Sequence, residues 1–150
     1  MIFIWKDYYD CILDDSLILD KDAKELTGID CSLREFCDYW KIQNILNKNF
    51  WCKNIYLNND LIGFIVFSKN EEKLLIMELI INKEKRHKGY GYKVLKELLD
   101  NSDKIIKEKI NYAEAVIFLK NIASQKCFEK AGFVKELHPD GDCYVFKYKK

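Results

Sequence analysis

Proline and glycine are scarce in this sequence, which has one proline and six glycines among 150 residues. Flexible linkers between domains are rich in glycine, serine or proline, so the composition offers no place for one. We therefore expect a single domain over residues 1–150. A hydrophobic share of 49% and a charged share of 33% are typical of a globular protein.

The patterns of metal sites, disulfide frameworks and membrane segments are also missing. The six cysteines form no Cys-x-x-Cys pair and the two histidines are His87 and His138, so no zinc spacing occurs and we expect no metal. No apolar run approaches about eighteen residues, and residues 1–5 are too short for the apolar region of a signal peptide. These absences predict a reduced, cytoplasmic protein without a membrane partner.

Charge is balanced overall but not along the chain. The net charge of +1 gives no reason to expect nucleic acid as the partner. Residues 1–38, however, hold ten acidic and four basic residues, a net charge of −6. A solvated acidic face is the simpler interpretation, and an acidic wall that attracts a cationic substrate is the alternative. Abundant isoleucine, asparagine and lysine indicate an A/T-rich coding genome, which favours a bacterial source.

The most informative stretch covers residues 74–99. An apolar run over residues 74–81, with Glu78 as its single charge, is followed by a polar loop and then by helical spacing. The apolar face of that helix would consist of Val94, Leu95, Leu98 and Leu99. The pattern predicts a strand, a loop and a helix. Because the first N–H groups of a helix lack internal partners and lie at the positive end of its dipole, this helix start is a candidate anion site.

Glycine and positive charge at the same place support an anion site. Gly89 and Gly91 would let a phosphate approach the backbone closely, because glycine has no Cβ. The nearby cations are Lys83, Lys85, Arg86 and Lys88. The loop has neither the Gly-Lys-Ser/Thr ending of a P-loop nor the three glycines of the dinucleotide fingerprint, so a different ligand is expected. The alternative is a solvated basic loop.

Two motifs resemble those of the GNAT superfamily of N-acetyltransferases. The first is similar to the signature Arg/Gln-x-x-Gly-x-Gly/Ala and reads Arg86-His87-Lys88-Gly89-Tyr90-Gly91. The second, an asparagine followed by a short helix that ends in Gly-Phe, runs from Asn121 to Phe133. Their order and separation match the family. The resemblance covers about residues 54–133, the last strands loosely and the first fifty residues hardly at all.

The resemblance implies an α/β (α+β) fold with a mixed, mostly antiparallel sheet of six to seven strands, a parallel and splayed central strand pair, and about four flanking helices. It also implies acetyl-CoA as the co-substrate, with its pyrophosphate on the loop amides and its pantetheine arm between the two central strands. The coenzyme-binding residues expected on this basis are Ile80, Ile81, Arg86, His87, Lys88, Gly89, Tyr90, Gly91, Tyr92, Asn121 and Phe128. Asn121 is equally expected to cap a helix.

Glu78 is the candidate catalytic residue. It is the one charged residue in an apolar strand, and burial there would raise its pKa toward that of a useful general base. Family members often carry an acid near this point, where it deprotonates the attacking ammonium. The alternative is an outward-facing glutamate paired with a neighbouring lysine, and the sequence favours neither interpretation over the other.

The sequence departs from the family at the proton donor. Many GNAT enzymes have a tyrosine seven residues after the signature asparagine, and this chain has Phe128 there. Cys127 lies about 100° around the helix and should point elsewhere. The remaining candidates for the donor are Tyr112, Tyr144, Tyr148 and water. Transfer does not require a donor strictly, since a thiol with a pKa of about 8.5 already leaves as a thiolate.

Other elements follow from local patterns. Residues 2–5 are predicted as an edge strand, and residues 8–27 carry mixed helical spacing that Gly28 would end. A capping box over residues 32–35 would open a helix with Phe36, Trp40 and Ile45 on one face. The elements predicted after it are a hairpin of residues 54–57 and 61–67, helical turns within 102–110, a buried strand over 113–119 parallel to the first, a helix over 122–131, and a closing hairpin of 133–137 and 143–148.

The leading functional hypothesis is an N-acetyltransferase that acts on a primary amine of a small cationic acceptor, such as a polyamine or an aminoglycoside-like compound. A regulatory module that binds an acyl-CoA without turnover is the second, because Phe128 occupies the usual acid position. Acetylation of a protein amine also stays open, as does a homodimer. A nucleic-acid-binding role is disfavoured, because four cations in one loop make no continuous basic face.

Overall fold

The structure is a computed structural model that describes residues 1–7, 21, 24–25 and 33–150. Seven strands in these residues form one sheet: β1 (Ile4–Asp7), β2 (Phe50–Leu57), β3 (Asp60–Asn70), β4 (Lys73–Ile81), β5 (Tyr112–Phe118), β6 (Val134–Leu137) and β7 (Cys143–Lys149). The helices with described bounds are α1 (Leu33–Leu46), α2 (Tyr90–Asp100), α3 (Ser102–Ile105) and α4 (Ile122–Lys130). A 3₁₀ turn, Lys83–Lys85, lies between β4 and α2.

The strand order in the sheet is β1-β2-β3-β4-β5-β7-β6. Neighbouring strands are antiparallel except β4 and β5, which are parallel and joined through α2 and α3. The predicted mixed, mostly antiparallel sheet with a parallel central pair is therefore confirmed. Parallel strands need a crossover connection, and this one leaves the loop before α2 at the carboxyl end of β4.

The central pair separates beyond its first residues. Only Lys73–Ile76 of β4 pairs with residues 112–115 of β5. On the other side of β4, Val66 pairs with Glu78 while Phe67 pairs with Ile76, so Met77 is the extra residue of a β-bulge. A bulged strand bends and twists more strongly. The bend carries β4 away from β5, which stays paired with β7 to its end, and the predicted splay is confirmed.

Two apolar layers cover the two faces of the sheet. The layer under α2 and α4 contains all four predicted residues of the α2 face, each at most 1% exposed, together with Phe67 and Phe146. The layer under α1 contains Phe36 and Trp40. The prediction that Ile45 shares their face is wrong, because its exposed fraction is 69%. Five residues of α-helix rotate the side chain by about 140° from Trp40, which turns Ile45 to solvent.

Most local predictions outside the N-terminal region are confirmed with shifted ends. Residues 58 and 59 form the predicted hairpin turn, with φ angles of 51° and 67°, and the flanking strands are longer than predicted. The edge strand at the N-terminus begins at Ile4, two residues later than predicted. The predicted helix of residues 8–27, its terminator Gly28 and the capping residue Ser32 lie outside the described residues, apart from positions 21, 24 and 25.

No helix in the described ranges combines the length and apolar character needed to cross a membrane.

Candidate active site

The loop between β4 and α2 presents a row of free backbone N–H groups. Gly89 is the N-cap of α2, with a left-handed φ of 82°, and His87 also has a positive φ of 61°. The first backbone hydrogen bond of the helix runs from the Lys93 N–H to the Gly89 carbonyl, at 3.2 Å. Within the described chain, the N–H groups of residues 87–91 have no acceptor. Such a row at the positive end of a helix dipole is a candidate anion site.

Two side chains that precede the free amides fix the loop to the sheet. Asn82 is 8% exposed, its N–H donates to the Ile62 carbonyl at 2.8 Å and its Nδ2 donates to the Leu61 carbonyl at 3.3 Å. Arg86 Nε donates to the carbonyl of Ile81 at 2.9 Å, so part of its guanidinium braces the loop. The sequence-based reasoning missed Asn82, whose polar side chain directly after an apolar strand was the available signal. The predicted phosphate contact of Arg86 stays a prediction.

The two glycines of the loop have different surroundings. A Cβ on Gly89 would meet nothing within 4 Å, so its requirement for glycine comes from the left-handed φ alone. A Cβ on Gly91 would lie 2.9 Å from Cys127 Sγ, on α4. The Tyr92 N–H donates a hydrogen bond to that sulfur, and burial raises the pKa of the Cys127 thiol. Gly91 therefore allows close packing of α2 on α4, in addition to any approach of a phosphate.

Gly91→Ala tests whether glycine is needed at this position for the packing of α2 on α4 or for the approach of a phosphate. In the wild-type background, overpacking should lower the free energy of unfolding by about 1–3 kcal/mol. The higher helix propensity of alanine should offset about 1 kcal/mol of that loss. In a Cys127→Ala background the nearest atom of residue 127 is its Cβ at 3.7 Å, so the same change should raise the free energy of unfolding. A double-mutant cycle by denaturant unfolding measures this reversal of sign. Equal loss of coenzyme A affinity in both backgrounds would instead assign Gly91 to phosphate approach.

A cleft opens where β4 and β5 part. One wall comes from Ile76 to Leu79 of β4, and the opposite wall is lined by Ala115, Val116, Ile117, Phe118, Asn121, Ser124, Phe128 and Cys143. Asn121 Oδ1 accepts a hydrogen bond from the Ser124 N–H at 3.2 Å, which confirms the predicted N-cap of α4. Gln125, which sequence reasoning missed, donates from Nε2 to the carbonyls of Phe118 and Leu119 and ties α4 to the end of β5.

Glu78 lies in the β4 wall of this cleft. It pairs with Val66, so its side chain points to the α1 side of the sheet, where Val66 is buried under Phe36 and Trp40. Desolvation by burial raises the pKa of Glu78 from 4.5 to about 7. No hydrogen bond or ion pair to its carboxylate occurs among the residues that the structure describes, so the alternative of a lysine-paired surface glutamate finds no support there. A carboxylate with this pKa can accept a proton near neutral pH.

Phe128 occupies the opposite wall and is 3% exposed. Its ring packs edge to face on Phe133, with the ring centroids 4.9 Å apart, and contacts Phe146 at 5.9 Å. Cys127 lies outside the cleft lining and faces Gly91, as the helical rotation predicts. Of the described tyrosines proposed as substitute proton donors, Tyr112, Tyr144 and Tyr148 are all absent from the lining. The described walls of the cleft therefore hold no phenol.

The free amides follow the cleft wall along the chain. β4 supplies a wall of the cleft and ends at Ile81, and the amide row begins six residues later. An elongated ligand with a diphosphate at one end and a narrow arm fits this order, with the diphosphate on α2 and the arm between the strands. Ile80 is 3% exposed and Ile81 partly buried, both at the end of the strand. No group of histidine, cysteine, aspartate or glutamate side chains in the described part could hold a metal ion.

Comparisons with known proteins agree with this geometry. A sequence model of the acetyltransferase (GNAT) family matches residues 16–133. No curated protein matches the chain in sequence.

Solved structures with the same fold share little sequence with the chain. Spermidine N-acetyltransferase from Vibrio cholerae, in complex with CoA and spermine, is 15% identical over 99% of this chain and 95% of its own, with a TM-score of 0.74. The aminoglycoside acetyltransferase AAC(6')-Ib, in complex with coenzyme A, is 16% identical over 99% and 94%, with a TM-score of 0.73. The N-acetyltransferase PseH from Campylobacter jejuni is 16% identical over 100% and 99%, with a TM-score of 0.69.

Proposed function

The chain belongs to the GNAT family of acetyltransferases, and we propose that it moves an acetyl group from acetyl-CoA directly to a primary amine of a small cationic acceptor. The observation that carries this proposal is the cleft between β4 and β5, which has Glu78 on one wall, together with the free amides of residues 87–91 in the loop that follows β4. This arrangement provides a site for a diphosphate, a channel for a narrow arm and a base beside the channel.

Glu78 is proposed as the general base. An amine must lose its proton before it attacks a thioester, and a carboxylate with a pKa of about 7 accepts that proton at neutral pH. The bond that forms joins the amine nitrogen to the acetyl carbon, and the bond that breaks is the carbon–sulfur bond. Coenzyme A leaves as a thiolate, which takes up the second proton lost by the nitrogen. Within the described sheet, the backbone of β4 beyond Ile76 has no strand partner on the cleft side, so its N–H groups there are available to the developing oxyanion.

A cationic acceptor is favoured by the acidic character of the N-terminal sequence. Residues 1–38 carry a net charge of −6, and Glu78 adds a carboxyl group on the wall of the cleft. Two of the structural neighbours are named for spermidine and for aminoglycosides, both cationic amines. Because the identities are 15% and 16%, these names support the proposed class of acceptor and identify no single compound.

The test is a coupled assay. Acetyl-CoA is combined with a panel of polyamines, aminoglycosides and amine-bearing peptides, and free thiol release is followed together with the mass of the acetylated product. We expect turnover with at least one small polyamine or aminoglycoside and none with neutral alcohols. Tight binding of coenzyme A by calorimetry with no turnover across the panel would favour the second candidate, a module that binds acyl-CoA, for which Phe128 in the proton-donor position is the supporting observation.

A further inference from the structure

Glu97 is a buried carboxylate that the proposed chemistry does not use. It lies on α2 and is 8% exposed. Its Oε2 accepts a hydrogen bond from the Ile2 N–H at 2.9 Å, and its Oε1 accepts from the Phe3 N–H at 3.1 Å and from Trp5 Nε1 at 2.8 Å. A buried carboxylate is costly unless it is hydrogen-bonded, and these three donors satisfy it. Residues 2–5, the N-terminal segment, are therefore attached to α2 by directional hydrogen bonds.

The same segment reaches the first turn of α2. Phe3 is 3% exposed, and its ring contacts the ring of Tyr90 edge to face, with the centroids 6.2 Å apart. Tyr90 and Glu97 are seven residues apart, about two helical turns, so they lie on the same side of α2. Through Phe3, segment 2–5 therefore contacts α2 at both Glu97 and Tyr90. On the other flank of the first turn, Gly91 packs against Cys127 of α4.

We propose that Glu97 is a positioning residue for coenzyme binding, because it fixes α2 to the N-terminal segment so that the free amides of residues 87–91 converge on one diphosphate. The inference rests on the proposed function of that site. Backbone amides bind an anion only when several point at the same place, and even a small rotation of α2 about its axis would misalign them. Three bonds to one carboxylate oppose that rotation, whereas an apolar side chain in the same volume would only fill space.

The test compares variants of the contact between segment 2–5 and α2 with a variant of the contact between β1 and β2. Glu97→Ala removes all three bonds to α2, and Trp5→Phe removes the indole donor alone. Asp7→Asn is the matched control, because Asp7 pairs with Lys53 and so ties β1 to β2, the neighbouring strand of the sheet. For each variant the Kd of coenzyme A is measured by calorimetry, kcat and both KM values by steady-state kinetics, and the melting temperature by calorimetry.

We expect Glu97→Ala to raise the Kd of coenzyme A and the KM for acetyl-CoA by about tenfold, with the acceptor KM and kcat changed less than about twofold. Trp5→Phe should give an intermediate rise, and Asp7→Asn should lower the melting temperature while leaving the Kd unchanged. The inference is overturned if the Glu97→Ala Kd is unchanged, or if all three variants raise the Kd in proportion to lost stability. Wild-type protein that binds no coenzyme A would remove the proposed function as well, which separates the two failures.

Discussion

Replacing Glu78 with glutamine is expected to lower kcat by about 10²-fold or more while the KM for acetyl-CoA stays nearly constant. Positioned general bases contribute about 10²- to 10⁴-fold, and glutamine keeps the shape of the side chain but cannot take up a proton. The reason to assign this role to Glu78 is its place in the cleft wall, with its carboxylate free of partners among the described residues. Steady-state kinetics on the acceptor found in the panel assay measure the effect.

The pH dependence gives a second readout of the same residue. Because burial raises the pKa of Glu78 to about 7, wild-type kcat should rise with pH up to about 7 and level off above it. Glu78→Gln should lose this acidic limb. Glu114→Gln is the matched control, since Glu114 lies partly buried on β5 and is paired with Lys73 at 2.9 Å. A Glu78→Gln enzyme with wild-type rate and pH profile would contradict the assignment of Glu78 as the general base.

Replacing Glu78 with glutamine should raise the free energy of unfolding while it lowers the activity. The folded protein holds the Glu78 proton up to about pH 7, whereas the unfolded chain releases it near 4.5. Burial of this group therefore destabilises the fold progressively between those two pH values and fully above the higher one. Glu78→Gln should match wild type at pH 4 and exceed its free energy of unfolding above pH 7, by an amount on the order of 3 kcal/mol. Denaturant titrations at pH 4 and pH 8 measure the difference.

The sequence predicted the parts of the fold that local pattern determines. The apolar run that became β4, the glycine-bordered start of α2 and its apolar face all follow from residues adjacent in the chain. The motif around Asn121 was equally readable, because an N-cap and a helix-ending Gly132 are local signals. The order of these elements then constrained the topology, since parallel strands joined by a helix are most often neighbours and their crossover is right-handed.

Long-range polar contacts were not readable from the sequence. Glu97 lies in α2 among ordinary charged helix residues, and its burial depends on Ile2, Phe3 and Trp5, more than ninety residues away. Gln125 likewise bonds carbonyls at the end of β5, and nothing in its neighbours marks it. The bulge at Met77 was also missed, because a register shift depends on the partner strand β3 and leaves no mark in the apolar pattern of β4.

Phe128→Tyr is expected to raise kcat by about tenfold. The resemblance to the family places a tyrosine here, and a phenol in the cleft wall can donate a proton to the departing thiolate. The gain should be smaller than that of a typical general acid, because a thiol with a pKa of about 8.5 leaves tolerably without help and a phenol, with a pKa of about 10, is a weak acid toward it. Single-turnover rates at saturating acetyl-CoA isolate the chemical step from product release. The gain should disappear at a pH where the new phenol is ionised.

The neighbouring ring at Phe133 provides the control for this gain. Phe133 is also 3% exposed and contacts Phe128, but it does not line the cleft. In Phe133→Tyr the added hydroxyl is buried without a partner, which should lower the free energy of unfolding by about 1–3 kcal/mol and leave the rate unchanged. If Phe128→Tyr shows the same stability loss and no rate gain, its new hydroxyl points into the core instead of the cleft. In either case the described cleft walls of the wild-type protein contain no phenol, so departure of the coenzyme depends there on the stability of the thiolate or on water.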